Sequence, residues 1–334
     1  MLAAQDKDTP ERIGFLLVPQ FSMLGFLAAV EPLRVANRLS GQRLYEWHVF
    51  SQDGQAVAAS NGMAIVADAA IAAVPAFPTV IVCASFDPEA AASKPLLAWL
   101  RRLDRQGSVL GALETGVYLL AQAGLAARSR VTLHWENLPG FQERFPEIQV
   151  TGELYEIDGK RITCAGGTAA LDMMLHVIGA RHGQDLALAI SEQMLHARIR
   201  NPDDHQRMAL GLRTGVRHPK LLKILEAMEN SVEEPLASEA LAALGAISRR
   251  QLERLFRAHL GDTPTGYYLK LRLRRARHLL EQTEMSVLQV ALASGFDSAP
   301  YFSRAYRAHF GRSPRQDRRA IRQDRGQLLR AGHP

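Results

Sequence analysis

Cysteine is nearly absent: Cys83 and Cys164 are the only two in 334 residues. Two are too few for a disulfide framework or a thiolate metal cluster. Both stand in apolar runs, TVIVCASF and ITCAGG, and are expected to be buried and reduced. Long apolar runs are missing as well. No stretch reaches the ~18 residues of a membrane span, and the opening MLAAQDKDTPER holds no apolar signal core. These absences point to a cytoplasmic protein with no membrane partner. His48, His176, His182 and His196 lack ligand spacing beside a carboxylate cluster, so no metal and no cofactor is expected. No fixed repeat of 20–50 residues marks a solenoid.

What is present divides in two. Residues 213–334 hold 22 Lys and Arg against 12 Asp and Glu, whereas the preceding 212 residues hold 18 against 22. A basic half joined to a mildly acidic half suits a nucleic-acid binder fused to another module. Up to about residue 197, short apolar runs (12–18, 45–51, 78–85, 108–113) alternate with helical patterns (22–39, 90–106, 115–125). That alternation predicts a parallel α/β sheet covered on both faces. Asp158-Gly159 between two alternating runs predicts a hairpin, and 168–181 and 184–197 read as helices. Periodicity fades over RIRNPDDHQRMALGLRTGV, where Pro202, Gly211 and Gly215 interrupt it. The expected organisation is an α/β domain at 10–197, a linker at 198–216, an all-α domain at 217–318 and a basic tail at 319–334. The tail reads as a solvated charge run. Helices are expected at 218–231, 237–244, 248–259, 264–282, 286–294 and 298–310.

The all-α half contains an internal echo. SRRQLERLFRAHLGDTP (248–264) matches SAPYFSRAYRAHFGRSP (298–314). Each copy follows a short apolar helix and a glycine, Gly245 or Gly295, which suits the turn of a helix-turn-helix. Ser248 and Ser298 are good N-caps. Leu252, Leu255 and Phe256, and Tyr301, Phe302 and Tyr306, are expected to face the cores. Ser248, Arg249, Arg250, Gln251 and Arg254 then project outward, as do Ser298, Ala299, Ser303, Arg304 and Arg307. Arginine can pair with guanine and glutamine with adenine in a major groove. The helix between the units, with Arg272, Arg274, Arg275 and Arg277, spans about 28 Å at 1.5 Å per residue. That approaches one duplex turn of about 34 Å and would set the two units in successive grooves. A generic bundle with a basic face would not explain two matched units.

VLQVALASGFDSAPYFSRAYRAHFGRSP also closely resembles the hallmark of the AraC/XylS regulators, over about 225–318. The resemblance implies promoter DNA as partner, usually with activation, together with RNA polymerase and a homodimer. It places Arg250, Gln251, Arg254, Ser298, Ala299 and Arg304 at the DNA.

The first half resembles the class I glutamine-amidotransferase-like, or PfpI-like, domain that many such regulators carry. Thr115-Gly116, Leu120-Ala121, Ala123-Gly124-Leu125, His134-Trp135 and RITCAGGTAALDMMLHVI carry the likeness, which implies a flavodoxin-like amidotransferase fold. The strand-to-helix elbow, cysteine in hydrolytic relatives, is Glu114 here. Without a thiol for His134 to activate, no catalytic residue is expected. An edge carboxylate is costly unless paired. Its partner is either a protein group, such as backbone N–H or His134, or a cationic metabolite. In the second reading Phe21, Tyr118 and Trp135 are candidate aromatic walls, and Ser22, Thr115 and His134 further liners. Met23 is as readily core as pocket. Relatives of this architecture often sense arginine, carnitine, glycine betaine or dimethylglycine. Their carboxylate could sit at the Gly166-Gly167-Thr168 helix start, while Asp172 one turn on reads as a structural hydrogen-bonding residue. The expected function is a ligand-responsive regulator of catabolic genes. The alternatives are a PfpI-like hydrolase or amidase with a DNA-binding domain, and a ligand-independent architectural protein.

Overall fold

The computed structural model describes residues 9–283 and 285–320. The basic tail therefore lies, from residue 321 on, outside the described residues. The chain divides after Gln206 into two units.

In chain order the first unit comprises β1 (Glu11–Leu17), α1 (Met23–Ser40), β2 (Tyr45–Ser51), β3 (Val57–Ala58), β4 (Ala64–Ile65), β5 (Ala69–Ala70), β6 (Thr79–Ala84), α2 (Lys94–Arg105), β7 (Val109–Glu114), α3 (Val117–Gln122), β8 (Val131–Thr132), α4 (Leu138–Arg144), β9 (Val150–Thr151), β10 (Tyr155–Asp158), β11 (Arg161–Cys164), α5 (Ala169–His182) and α6 (Gln184–Gln193). Seven strands form one sheet in the order β10-β11-β7-β6-β1-β2-β5. All pairs are parallel except the β10–β11 hairpin. Successive residues of β1 serve opposite faces. Phe15 and Leu17 join the core under α1, α5 and α6, and Leu16 joins the core under α2, α3 and α4. A strand buried on both faces must be apolar throughout, which is why RIGFLLV does not alternate. Strand order reverses about β1, and parallel sheets bind ligands at their carboxyl edge beside such a reversal.

Several boundaries differ from expectation. Helix α2 starts at Lys94, where the Ser93 hydroxyl accepts from the Leu96 N–H; residues 88–91 form a separate 3-10 turn. Helix α3 spans six residues, not 115–125. Helix α6 stops at Gln193, and Leu195 takes a left-handed φ of 54°. Strands of two residues, such as β3 and β8, are too short to show any period.

The expected linker is largely structured. Its first part belongs to the first unit: the Leu154 N–H donates to Pro202 O at 2.8 Å. Gln206 Nε2 donates to Glu153 O at 2.8 Å and Leu133 O at 3.0 Å. Its second part holds a short helix, α7 (Leu210–Thr214).

The second unit continues with α8 (Pro219–Asn230), α9 (Ser238–Leu244), α10 (Arg249–Leu260), α11 (Pro264–Gln282), α12 (Val287–Ala293) and α13 (Ala299–Phe310). Ser248 and Ser286 each close a capping box, with Gln251 and Gln289 as the reciprocal partners. There are two cores. One gathers Leu225, Leu252 and Phe256, the other Leu279, Phe302 and Tyr306. Helix α11 joins them, giving Tyr268 to the first and Leu273 to the second. The Tyr268 hydroxyl donates to Ser231 O at 2.6 Å and accepts from the Leu236 N–H at 3.1 Å.

Two arginines of α11, Arg272 and Arg275, turn inward, whereas Arg277 stays exposed. Arg272 donates to Ser294 O at 3.1 Å and to Gly295 O, and its guanidinium stacks 3.9 Å from the Phe296 ring centre. Arg275 donates to Ala293 O at 2.9 Å. Arg277 pairs with Glu281 and Asp317. Arg272 and Arg275 thus satisfy carbonyls left open at the end of α12, where a cation is also favoured by the helix dipole. Gly295 has φ 75°, and a Cβ there would lie 2.5 Å from Val232 O. Gly295→Ala is therefore expected to destabilise the second unit by about 1–3 kcal/mol, seen as a lower urea midpoint. An unchanged midpoint would contradict this packing.

Candidate ligand site and nucleic-acid interface

Glu114 ends β7 with φ 52°, a left-handed conformation that costs a non-glycine residue ~1–2 kcal/mol. The elbow is held on both sides. The Thr115 hydroxyl donates to Ser85 O at 2.6 Å. At Gly116 a Cβ would lie 3.1 Å from Leu113 O. The half-buried Glu114 carboxylate turns toward the starts of α1 and α5. The Gly167 N–H donates to its Oε1 at 3.3 Å. A Cβ on Gly166, which has φ 92°, would overlap the Glu114 side chain. A Cβ on Gly25 would lie 3.4 Å from Oε1. Gly166 and Gly25 therefore make room for the carboxylate, and Gly167 supplies its N–H donor. Among the described residues, no Lys, Arg or His lies within ion-pairing distance of it.

The expected pocket is redrawn by this geometry. Of the two protein partners considered for Glu114, it takes the backbone N–H, and no hydrogen bond or ion pair joins it to His134. His134 instead lies 3.9 Å from Glu136 and against the Trp135 ring. Tyr118 is no aromatic wall: it is buried in the core under α2, α3 and α4, edge-on to Phe141 at 5.0 Å. Phe21 is fully buried, edge-on to Phe26 in the opposite core. Thr115 is buried and committed to Ser85. Ser22 is a helix cap, accepting from the Gly25 N–H at 3.2 Å, and Met23 packs on the core. The Gly166-Gly167-Thr168 seat is partly filled, because Glu114 takes the Gly167 N–H and the Thr168 hydroxyl accepts from Arg200 Nη2 at 2.8 Å.

His196 stands at the end of the expected helix 184–197 and Arg200 in the expected linker, and neither is marked in the sequence as a partner of Asp172. They converge on Asp172, which is fully buried. Its Oδ1 accepts from His196 Nε2 at 2.8 Å and from the Arg200 backbone N–H at 2.7 Å. Its Oδ2 accepts from Arg200 Nε at 2.8 Å and Nη2 at 2.6 Å. The expected structural hydrogen bond is thus a small network that fastens residues 196–200 to α5.

Neither cysteine can serve the elbow. Both are buried. Burial, with the negative charge of Glu114 adding to it, pushes the Cys83 thiol up. Burial pushes Cys164 up to about 12, against the lowering effect of the Gly166 N–H.

In the second unit, α9, the turn 245–247 and α10 form the first helix-turn-helix; α12, the turn 294–297 and α13 form the second. Arg250, Gln251, Arg254 and Arg257 line an open hollow of about 910 Å³ on α10. Arg249 is tied to Glu239 at 2.7 Å, with both side chains exposed. Gln251 closes its capping box, so Oε1 accepts from the Ser248 N–H at 2.8 Å. Reading a base with both amide atoms would require opening that cap. On α13, Arg304 and Arg307 are exposed, Ala299 and Ser303 are half-buried, and Ser298 caps the helix. Tyr301, expected in the core, is 48% exposed. Among the described residues, Arg250, Arg254, Arg304 and Arg307 have no carboxylate partner. These cations face solvent, unlike Arg272 and Arg275 of α11.

A DJ-1/PfpI family model matches residues 11–180, and a helix-turn-helix domain model matches residues 241–320. The chain is 52% identical to the HTH-type transcriptional regulator CdhR of Pseudomonas aeruginosa, over 92% of this chain and 91% of that one. It belongs to the AraC-type transcriptional regulators with an N-terminal DJ-1/PfpI domain. The HTH-type transcriptional regulator GbdR of Pseudomonas aeruginosa is 47% identical, over 92% of this chain and 84% of that one. A crystal structure of an AraC family transcriptional regulator from Pseudomonas putida is 27% identical with a TM-score of 0.51, covering 55% of this chain and all of that one. The α/β unit and the helical unit are those of this family, and the helical unit binds DNA. No described helix is long and apolar enough to cross a membrane.

Arg250 and Arg272 are expected to separate by assay. Arg250→Ala should weaken binding to a duplex selected by the wild-type protein by about 1–3 kcal/mol, with no change in melting. Arg272→Ala should lower the melting temperature, because the carbonyls of residues 294–295 lose their donor. Anisotropy titrations and thermal melts read both, and a melting loss in Arg250→Ala would contradict its assignment to the reading face.

Proposed function

We propose that this regulator is switched by a small metabolite whose cationic nitrogen meets Glu114. One observation carries the reading. The elbow carboxylate is half-buried between two helix starts, and among the described residues a single backbone N–H is its partner. Desolvating a carboxylate with so little compensation is unfavourable. A ligand cation supplies what the protein does not. The candidate ligands remain arginine, carnitine, glycine betaine and dimethylglycine, with Trp135 and His134 as further contacts. The output is control, through activation, of genes for breakdown of the same metabolite, by a homodimer acting with RNA polymerase in the cytoplasm. The DNA contacts proposed are Ser248, Arg249, Arg250, Gln251 and Arg254 of the first unit and Ser298, Ala299, Ser303, Arg304 and Arg307 of the second. The domain limits are those read from the sequence, with the first extended by the folded segment up to residue 206.

The hydrolase alternative lacks a nucleophile. A thiol pushed up to about 12, like that of Cys164, is thiolate in only about one part in 10⁴ at pH 8. The native protein is accordingly expected to resist alkylation by iodoacetamide at pH 8 and to label at both cysteines once unfolded in guanidinium. Rapid labelling of one native thiol would revive the hydrolase.

Calorimetric titration of the full chain with the four candidates tests the sensor reading. At least one should bind, and Glu114→Gln should weaken it about tenfold or more with unchanged DNA affinity in its absence. If none of the four binds, or if Glu114→Gln leaves the affinity intact, Glu114 is not the cation site.

A further inference from the structure

The charge next to Glu114 comes from the segment expected to be a linker. Arg200 reaches α5 from residues 196–206, and its Nη2 donates to the hydroxyl of Thr168. Thr168 is the immediate neighbour of Gly167, whose N–H holds Glu114. A carboxylate and a guanidinium are thus anchored on consecutive residues, whose Cα atoms are about 3.8 Å apart. Arg200 Nε and Nη2 are committed to Asp172 and Thr168, while Nη1 has no partner among the described residues. The side chain is 27% exposed. Asp172 is fully buried and is also bonded to His196, so Arg200 is held in place with one donor left over.

The geometry points to Arg200 as a second ligand-binding residue of the Glu114 site, one that takes the anionic end of a zwitterion. The inference rests on the proposed cation site at Glu114 and adds the ligand's second charge to it. A ligand bearing only a cation would satisfy Glu114 and leave Nη1 to water. A ligand bearing an ammonium and a carboxylate a few ångströms apart satisfies both. Arg200 replaces the helix-start seat for the carboxylate, because the Gly167 N–H is already used. A guanidinium suits this role, since two of its nitrogens can stay on Asp172 and Thr168 while the third meets the ligand.

Matched ligand pairs test it on the full chain by calorimetry. Glycine betaine is compared with choline, which has the same quaternary head and a hydroxyl in place of the carboxylate. Arginine is compared with agmatine, which lacks the carboxylate. The wild-type protein should prefer the zwitterion of at least one pair by about tenfold or more. Arg200→Met alone would strand the buried Asp172, so the variant is the double Asp172→Asn/Arg200→Met, with Arg200→Lys as the version that keeps a cation on Asp172. Both should lose most of the preference, and neither should weaken the cation-only ligand. Equal losses for both members of a pair, or an unchanged preference, would overturn the assignment of Arg200 while leaving the Glu114 site standing. Should neither pair bind, carnitine and dimethylglycine are each compared with their methyl esters; if none of the four zwitterions binds the wild-type protein, the Glu114 reading falls and this inference falls with it.

Discussion

The buried carboxylate of Asp172 fixes the path of the chain that leaves α6. Removing a carboxylate from water costs several kcal/mol unless it is closely compensated. Here compensation comes from His196, from the Arg200 guanidinium and from the Arg200 backbone N–H. All three lie beyond the last residue of α6. The charge can therefore be buried only if the chain leaving α6 folds back over α5. That return explains why residues expected to be a loose linker belong to the α/β unit. It also sets the hydroxyl of Thr168 beneath a guanidinium. Further along, Gln206 fastens the same segment to the carbonyls of Leu133 and Glu153, beside the His134-Trp135 pair.

The arginines of the second unit show how burial assigns roles to identical side chains. Arg272 and Arg275 lie against the carbonyls that end α12, and one of them also stacks on Phe296. Their donors are spent within the fold, and burial lowers the pKa of the Arg272 guanidinium. Arg250, Arg254, Arg304 and Arg307 face solvent with donors available for phosphate or base. The basic balance of this half therefore overstates its electrostatic reach toward DNA, because part of it is internal structure. The two reading helices are also chemically unlike. The first carries Arg249, Arg250 and Gln251, where the second carries Ala299, Pro300 and Tyr301. Equal positions in an internal echo thus offer a cationic surface in one unit and an aromatic one in the other.

Much of this architecture is legible in the sequence because its elements obey strong local rules. The strands buried on both faces are continuous apolar runs, and β2 falls on residues 45–51 as expected. Helix α11 runs from Pro264 to Gln282, as its pattern predicts, because a threonine cap and an N-terminal proline fix its start. The elbow at Glu114 is legible from its strand-to-helix junction. The pocket around it is not. Whether Tyr118 faces a ligand or a core depends on which side of the sheet α3 covers, and Tyr118 and Phe21 lie in opposite cores. Tyr301 follows a buried pattern in the sequence, yet the turn of α13 exposes it. Arg200 and His196 are long-range partners of Asp172, and nothing local marks them.

The elbow itself carries the last step. A left-handed φ at the end of a central strand is strain that a protein keeps only where the position matters. In a hydrolase that strain presents a nucleophile. Here the residue is a glutamate, both thiols lie buried elsewhere, and the strained backbone is retained all the same. Gly25 and Gly166 leave room for the longer side chain where it meets the starts of α1 and α5. What the fold has kept is a charged atom held at the carboxyl edge beside the strand-order reversal, the place where a parallel sheet meets its ligands. On the proposed reading, this fixed carboxylate is a recognition group. The backbone geometry that serves covalent chemistry in one protein then serves electrostatic selection in this one, under that proposal, with little change beyond the side chain at the elbow and the space around it.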